Sequence, residues 1–382
     1  MPPRFTTDLT GSCTGTPPLG CRYCDRGAKM VLYITGICRQ ECYYCPLSES
    51  KKDRDVIYAN ERLVEGKDWL HQVVSEAKRM KALGTGLTGG DPLVVPARTA
   101  LVIKTLKEEF GKNHHVHLYT TGPFEIGHLA ELKNAGLDEI RFHPPIHSWT
   151  SFRYLAGGVE GDGSLALPYH ELISGAREQI PSVGLEVPAV IDEKGRGRVN
   201  SEGLLELARY GVRMGLDFIN INELEASHTN MELFAEKGFS LVGDSMAVEG
   251  SRELAWSVIN KVTGEKPKSG TVLHFCSSVY KDSVQLRHRL KRMASNLKKP
   301  YDVITDDGTF IRGVIISEEP DELLTRLEDE YEVPRELMEP LDDRIIIAAW
   351  VLEEIGPELH EETYISEVYP TWDGLEVERI PI

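Results

Sequence analysis

The chain reads Cys38-Arg39-Gln40-Glu41-Cys42-Tyr43-Tyr44-Cys45 just where the apolar run from Met30 to Ile37 gives out. Three cysteines separated by three and by two residues on one short loop can turn their thiolates toward a common centre. Soft thiolates select zinc or iron–sulfur clusters over hard cations. Three ligands for a four-iron cluster leave one iron without a protein ligand, and an open coordination position is what distinguishes a chemical metal site from a structural one. A structural zinc knuckle usually pairs two Cys-x2-Cys hooks, so a tight triplet behind a buried strand departs from that pattern.

Outward from this loop, apolar runs alternate with amphipathic segments from Lys29 for some 250 residues, as a parallel α/β fold requires. Strands are expected at 30–37, 86–88, 115–119, 137–142, 185–190, 217–222 and 271–275. Helices are expected at 67–83, 98–110, 126–135, 171–179, 202–214 and 252–262, with a Gly-rich loop ahead of the helix at 171. Six or seven such units make an open or partial TIM-like barrel, whose chemistry belongs at the C-terminal strand ends. The polar residues that interrupt the pattern collect there: Cys38, Asp91, Thr120, His143, Glu223 and Cys276. Any one of them could be a cap or a loop residue, but together they mark a site. Arg141 and His143 share a strand face, as do Asn220 and Asn222, with Glu223 and Glu225 following. An arginine facing a barrel interior needs an anion beside it, either a bound carboxylate or Glu186 on the next strand.

Four cysteines remain: Cys13, Cys21, Cys24 and Cys276. The hook Cys21-x2-Cys24, with Cys13 near it and one distant partner, suits a structural zinc or an auxiliary iron–sulfur cluster. The alternative makes Cys276 an ordinary buried thiol. Seven cysteines in 382 residues, behind an opening MPPRFTTDLT that has no apolar core, indicate a reducing, cytoplasmic setting and not a disulfide framework. No apolar stretch approaches the length of a membrane span. The formal charge of −17 is concentrated: residues 317–382 hold 21 Asp/Glu against four Arg, and residues 1–316 balance. Between Lys281 and Pro300, seven Lys/Arg face one Asp, on a segment whose Leu286, Leu290, Met293 and Leu297 form a helical apolar face. That basic helix could meet RNA, but no aromatic platform is interleaved with the charges, so a solvated face or docking on the acidic tail is the simpler reading. Three regions result: a Cys-rich, loop-rich lead segment, 1–28; the barrel, 29–280; and 281–382, with the basic helix, a hairpin about Asp306-Asp307-Gly308, and acidic helices at 321–330 and 344–355.

The cysteine triplet, Tyr44 before its third member and the strand before its first resemble the signature of the radical S-adenosylmethionine (SAM) superfamily. Gly89-Gly90-Asp91-Pro92 resembles that family's Gly-Gly-Glu-Pro element, which contacts the SAM amino group, with Asp in place of Glu. The resemblance implies a [4Fe-4S] cluster on Cys38, Cys42 and Cys45, the catalytic centre, whose open iron is chelated by SAM. An electron from the cluster then cleaves SAM to methionine and a 5'-deoxyadenosyl radical. It places Tyr44 near the adenine, Gly89, Gly90 and Asp91 at the amino group, Thr120 or Thr121 near the ribose or carboxylate, and Arg141 and His143 near SAM. The strings at 31–38, 84–92, 117–120, 137–144 and 274–276, with the lead cysteines, are similar to mostly archaeal radical SAM proteins related to pyruvate formate-lyase activating enzymes. This implies an electron donor such as ferredoxin or flavodoxin and a protein or peptide substrate, favoured over tRNA. A different class of reading is a structural or redox-sensing metal protein that never cleaves SAM.

Overall fold

In the computed structural model, residues 13–155, 160–195, 197–243 and 245–382 are described. The opening decapeptide and part of the Gly-rich loop lie outside them. The described residues divide into two compact units: 13–25, 29–75 and 82–285 in the first, and 26–28, 76–81 and 286–382 in the second. No helix among them is long and apolar enough to cross a membrane.

The first unit is built on nine strands: β1 Lys29–Tyr33, β2 Ile57–Ala59, β3 Arg62–Val64, β4 Gly84–Thr88, β5 His115–Thr120, β6 Glu139–Phe142, β7 Ser182–Pro188, β8 Phe218–Asn222 and β9 Val272–Cys276. Their order is β3-β2-β1-β4-β5-β6-β7-β8-β9. All pairs from β1 through β4 to β9 are parallel, whereas β2 and β3 add an antiparallel edge hairpin. Each parallel step crosses over through a helix, at Trp69–Arg79, Pro96–Phe110, His128–Ala135, Leu167–Gln179, Val199–Arg213 and Ser251–Glu265. Seven parallel strands in sequential order, with no pairing of β9 to β3 among the described residues, make a partial barrel.

A parallel sheet covered on both faces normally reads as unbroken apolar runs. Here one face is apolar and buried, with Met30, Leu32, Leu87, Leu118, Ile140, Leu185, Ile219 and Phe275. The alternate positions carry Lys29, His117, Glu139, Arg141, Glu186, Asn220 and His274, and cross-strand register keeps them together, as in Glu186↔Asn220↔His274. This face is covered by part of the lead segment. Residues 19–25, which show no clear periodicity in sequence, form a helix bearing Cys21 and Cys24. Gly20 is what lets that helix approach: a Cβ there would lie 2.5 Å from Nδ1 of His117 and 2.6 Å from Nη2 of Arg141. Upstream, Cys13 bridges His274, and Thr14 N donates to Leu273 O at 2.9 Å, pairing the exposed edge of β9.

The second unit is a six-stranded antiparallel sheet: β10 Val303–Ile304, β11 Phe310–Ile316, β12 Met338–Leu341, β13 Arg344–Ile347, β14 Thr363–Val368 and β15 Glu376–Pro381. The order is β12-β13-β11-β14-β15, with β10 on β11. Helices Pro320–Asp329 and Ala349–Ile355 pack on it through a core that includes Leu323, Leu327, Ile345, Ile347 and Leu352. The stretch 344–355, expected as one acidic helix, divides. Ile345-Ile346-Ile347 are β-branched and pair centrally with β11, and the helix starts only at Ala349.

Candidate active site

A cavity of ≈ 330 Å³ opens at the C-terminal ends of the parallel strands. Cys38, Cys42 and Cys45 line it from the loop after β1, and all three are free thiols. Thr88, Gly89 and Gly90 enter from β4 and its following turn, Thr120 and Thr121 from the end of β5, and His143 from just after β6. Glu186, Asn222, Glu223 and Glu225 complete the ring from β7 and β8, with Lys281 beside them.

The cysteine loop is laced to the β4 turn by backbone. Gly90 N donates to Thr35 O at 2.8 Å, and Asp91 N to Ile37 O at 2.9 Å. Gly89 sits at φ 148°, and a Cβ there would lie 2.3 Å from Thr35 O. The paired glycines therefore answer first to the close approach of the cysteine loop. Asp91 is held by donors of its own chain. Its carboxylate is buried and accepts from Leu93 N at 2.9 Å, from Thr121 N at 3.0 Å, and from the Thr120 and Thr121 hydroxyls at 3.1 and 2.9 Å. It is not among the residues lining the cavity; it holds Thr120 and Thr121, which are. Burial pushes its carboxyl above the ordinary value, against these donors.

Cys38 accepts from Gln40 N at 3.4 Å and stands 3.7 Å from the Thr121 hydroxyl. Burial pushes the Cys42 thiol up to about 11, and Cys38 and Cys45 add to the rise, since one thiolate disfavours another beside it. A bound metal reverses that balance by taking the thiolates as ligands. The Tyr44 hydroxyl meets Nε2 of His143 at 3.2 Å. Burial drops His143 to about 4, so that its imidazole is neutral and able to exchange hydrogen bonds across the cavity. Lys281 donates to Glu225 at 2.7 Å, and Glu223 accepts from Arg252 Nε at 3.1 Å and Ser278 N at 2.8 Å.

Arg141 is paired within the sheet. It is fully buried, donating to Glu139 from Nε at 2.6 Å and to Glu186 from Nη1 at 2.5 Å, which is the internal-bridge alternative, and it does not line the cavity. Burial raises the Glu139 carboxyl, but Arg141 and His115 together bring it down to about 2. Sequence reasoning missed Glu139, although its two-residue spacing from Arg141 puts both on one face. Lys52, Gln40 and Lys281 also line the cavity and carry no sequence signal of it.

The remaining cysteines gather at the polar face near β8 and β9. Asn220 Nδ2 donates to Cys21 Sγ at 3.3 Å and Arg141 Nη2 to the same sulfur at 3.5 Å. Cys24 donates to Gln285 Oε1 at 2.8 Å, and Gln285 Nε2 reaches Cys276 Sγ at 3.5 Å. Cys13 pairs through its backbone with His274. Among the described residues no group of three His, Cys, Asp or Glu side chains is gathered as a site for a single metal ion.

Three free thiols on one cavity wall, with backbone and hydroxyl groups but, among the described residues, no fourth sulfur facing them, fit a four-iron cluster with one open corner. The radical SAM superfamily profile matches residues 32–157, which hold this wall. A Methanocaldococcus jannaschii protein provisionally named a glycyl-radical enzyme activating enzyme is 38% identical over 377 residues, 96% of this chain and 92% of that protein. The chain belongs to the radical SAM superfamily. It is therefore an enzyme, and membership implies a [4Fe-4S] cluster and SAM. Residues 308–382 match a domain of unknown function, DUF8061. Among solved structures, the FeFe-hydrogenase maturase HydG of Carboxydothermus hydrogenoformans is 15% identical with a TM-score of 0.41, covering 64% of this chain and 52% of that one. Methylornithine synthase PylB is 13% identical with a TM-score of 0.39, covering 66% and 71%.

Proposed function

We propose that this radical SAM enzyme abstracts a hydrogen atom from a protein or peptide, as an activating enzyme does. The observation that carries it is the cavity that joins Cys38, Cys42 and Cys45 to the polar ends of β4 through β8. When bound, the cluster and SAM supply a 5'-deoxyadenosyl radical, with the electron coming from a small donor such as ferredoxin or flavodoxin. Cys38, Cys42 and Cys45 hold the cluster. Gly89 and Gly90 offer backbone without side-chain bulk to the amino acid part of SAM, while Thr120 and Thr121, fixed by Asp91, offer hydroxyls to its polar groups. Tyr44, buried, and His143, partly buried, present a neutral aromatic wall to the adenine. Arg141 acts indirectly, holding Glu186 in place. Substrate enters past Glu223, Glu225 and Lys281, charged groups paired with one another or with neighbours and able to meet a polar chain.

The protein substrate rests on the 38% relative's provisional name together with this paired, mixed-charge rim. The test uses extract from cells grown in deuterium oxide on a deuterated carbon source, separated into protein, RNA and small-molecule fractions. Each is incubated anaerobically with reconstituted enzyme, SAM and dithionite. Deuterium in 5'-deoxyadenosine from the protein fraction is the expected result. Deuterium arising only from the RNA or small-molecule fraction would overturn the protein reading.

A further inference from the structure

We infer that Cys13, Cys21, Cys24 and Cys276 hold a second iron–sulfur cluster, ligated by four protein thiolates and lying against the polar face of the barrel sheet. The four come from three separate places in the chain, yet one set of contacts joins them. The helix at Leu19–Asp25 sets Cys21 against Asn220 of β8. Asn220 is in register with His274 of β9, to which Cys13 pairs, and Asn222 is in register with Cys276. Gln285, in the π-helical turn Lys281–Leu286, spans Cys24 and Cys276 with the two ends of its amide. Such turns within helices are frequent at functional sites.

A second observation points to an absent occupant. Asn220 Oδ1 and His274 Nδ1 are buried without a hydrogen-bond partner, and both belong to residues on this same face. Buried polar atoms are nearly always satisfied, so two orphans beside the thiols mark a place built for another group. The sulfurs already have N–H donors in Arg141, Asn220 and Gln285, the neighbours that tune an iron–sulfur centre. Zinc would need its sulfurs drawn in at about 2.3 Å from one ion. The N–H donors already on Cys21 and Cys276 are what favour a cluster over zinc here, and a count of the bound metals separates the two.

Four thiolates saturate four irons. Unlike the centre on Cys38, Cys42 and Cys45, this one has no open iron, so it can pass electrons but cannot chelate SAM. Its connection to the cavity is Glu186, which lines the cavity and accepts from both Arg141 and Asn220, two of the donors to Cys21.

The experiment compares wild type, the triple variant Cys38→Ala/Cys42→Ala/Cys45→Ala and the double variant Cys21→Ser/Cys24→Ser, each reconstituted anaerobically. Iron, sulfide and zinc are counted, and electron paramagnetic resonance spectra of the reduced proteins are taken with and without SAM. About eight irons are expected in wild type and about four in each variant. The triple variant's signal should not move with SAM, and the double variant's should. Should a variant fail to fold, the wild-type count alone decides. About four irons in wild type, zinc in the second site, or a folded triple variant without iron overturns the inference. None of these readings depends on SAM cleavage or on the substrate, so the proposed function can fail without touching them.

Discussion

Asp55 shows how one side chain reaches the cysteine loop from outside it. Its carboxylate takes two hydrogen bonds from Arg98, at 2.6 and 2.8 Å, and one from the Thr35 hydroxyl at 2.8 Å, while Arg98 also donates to Ile34 O. Arg98 beside it, helped by Thr35, holds the Asp55 carboxyl down to about 2, although burial works the other way. A depressed carboxylate contributes stability above its unfolded value, and that contribution is lost as pH falls through the folded one. Asp55→Asn is expected to cost only about 1 kcal/mol at neutral pH, since the pair is largely solvated. The difference from wild type, read from urea midpoints of the apo protein, should shrink between about pH 4 and about pH 2. A constant difference across that range would contradict the assignment.

Elements carry the difference between what could and could not be read from sequence. The six crossovers and the cysteine loop were legible because apolar periodicity and a strict ligand spacing are local signals. The Leu19–Asp25 helix was not, because its reason to exist is the tertiary surface of His117 and Arg141 on which Gly20 sits. The directions of the Asp91 and Arg141 side chains were not legible, because they depend on partners that tertiary structure supplies: Thr120 and Thr121 for one, Glu186 for the other. The edge hairpin β2–β3 was missed because each strand has only three residues, too few to show a period. The network on the polar face predicts its own penalty. Arg141→Met leaves the buried Glu139 and the cavity-lining Glu186 without their shared cation, and breaking a bridge that holds a buried carboxylate costs about 3–5 kcal/mol. Glu139, freed from Arg141, should rise above its present value near 2, so the variant's deficit should be smaller at pH 5 than at pH 8. Equal deficits at both would show that the bridge is not what holds Glu139 ionised.

At the scale of the whole molecule, chemistry and acidity belong to different units. The barrel unit carries every cysteine and the cavity, whereas residues 317–382 carry the excess negative charge. The second unit has its own core, in which Leu352 is fully buried beneath β11 and β13. Leu352→Ala should destabilise that unit by about 2–5 kcal/mol. Iron bound per chain should stay at the wild-type level in native buffer; loss of iron in a folded variant would show the cluster sites depending on this core.

The most direct measurement is 5'-deoxyadenosine formed from SAM by the reduced, reconstituted wild-type enzyme beside Cys42→Ala. The account predicts 5'-deoxyadenosine and methionine from wild type, raised by the protein fraction, and none above background from the variant. Intact SAM after incubation of a fully loaded, reduced wild-type enzyme with each extract fraction would contradict it.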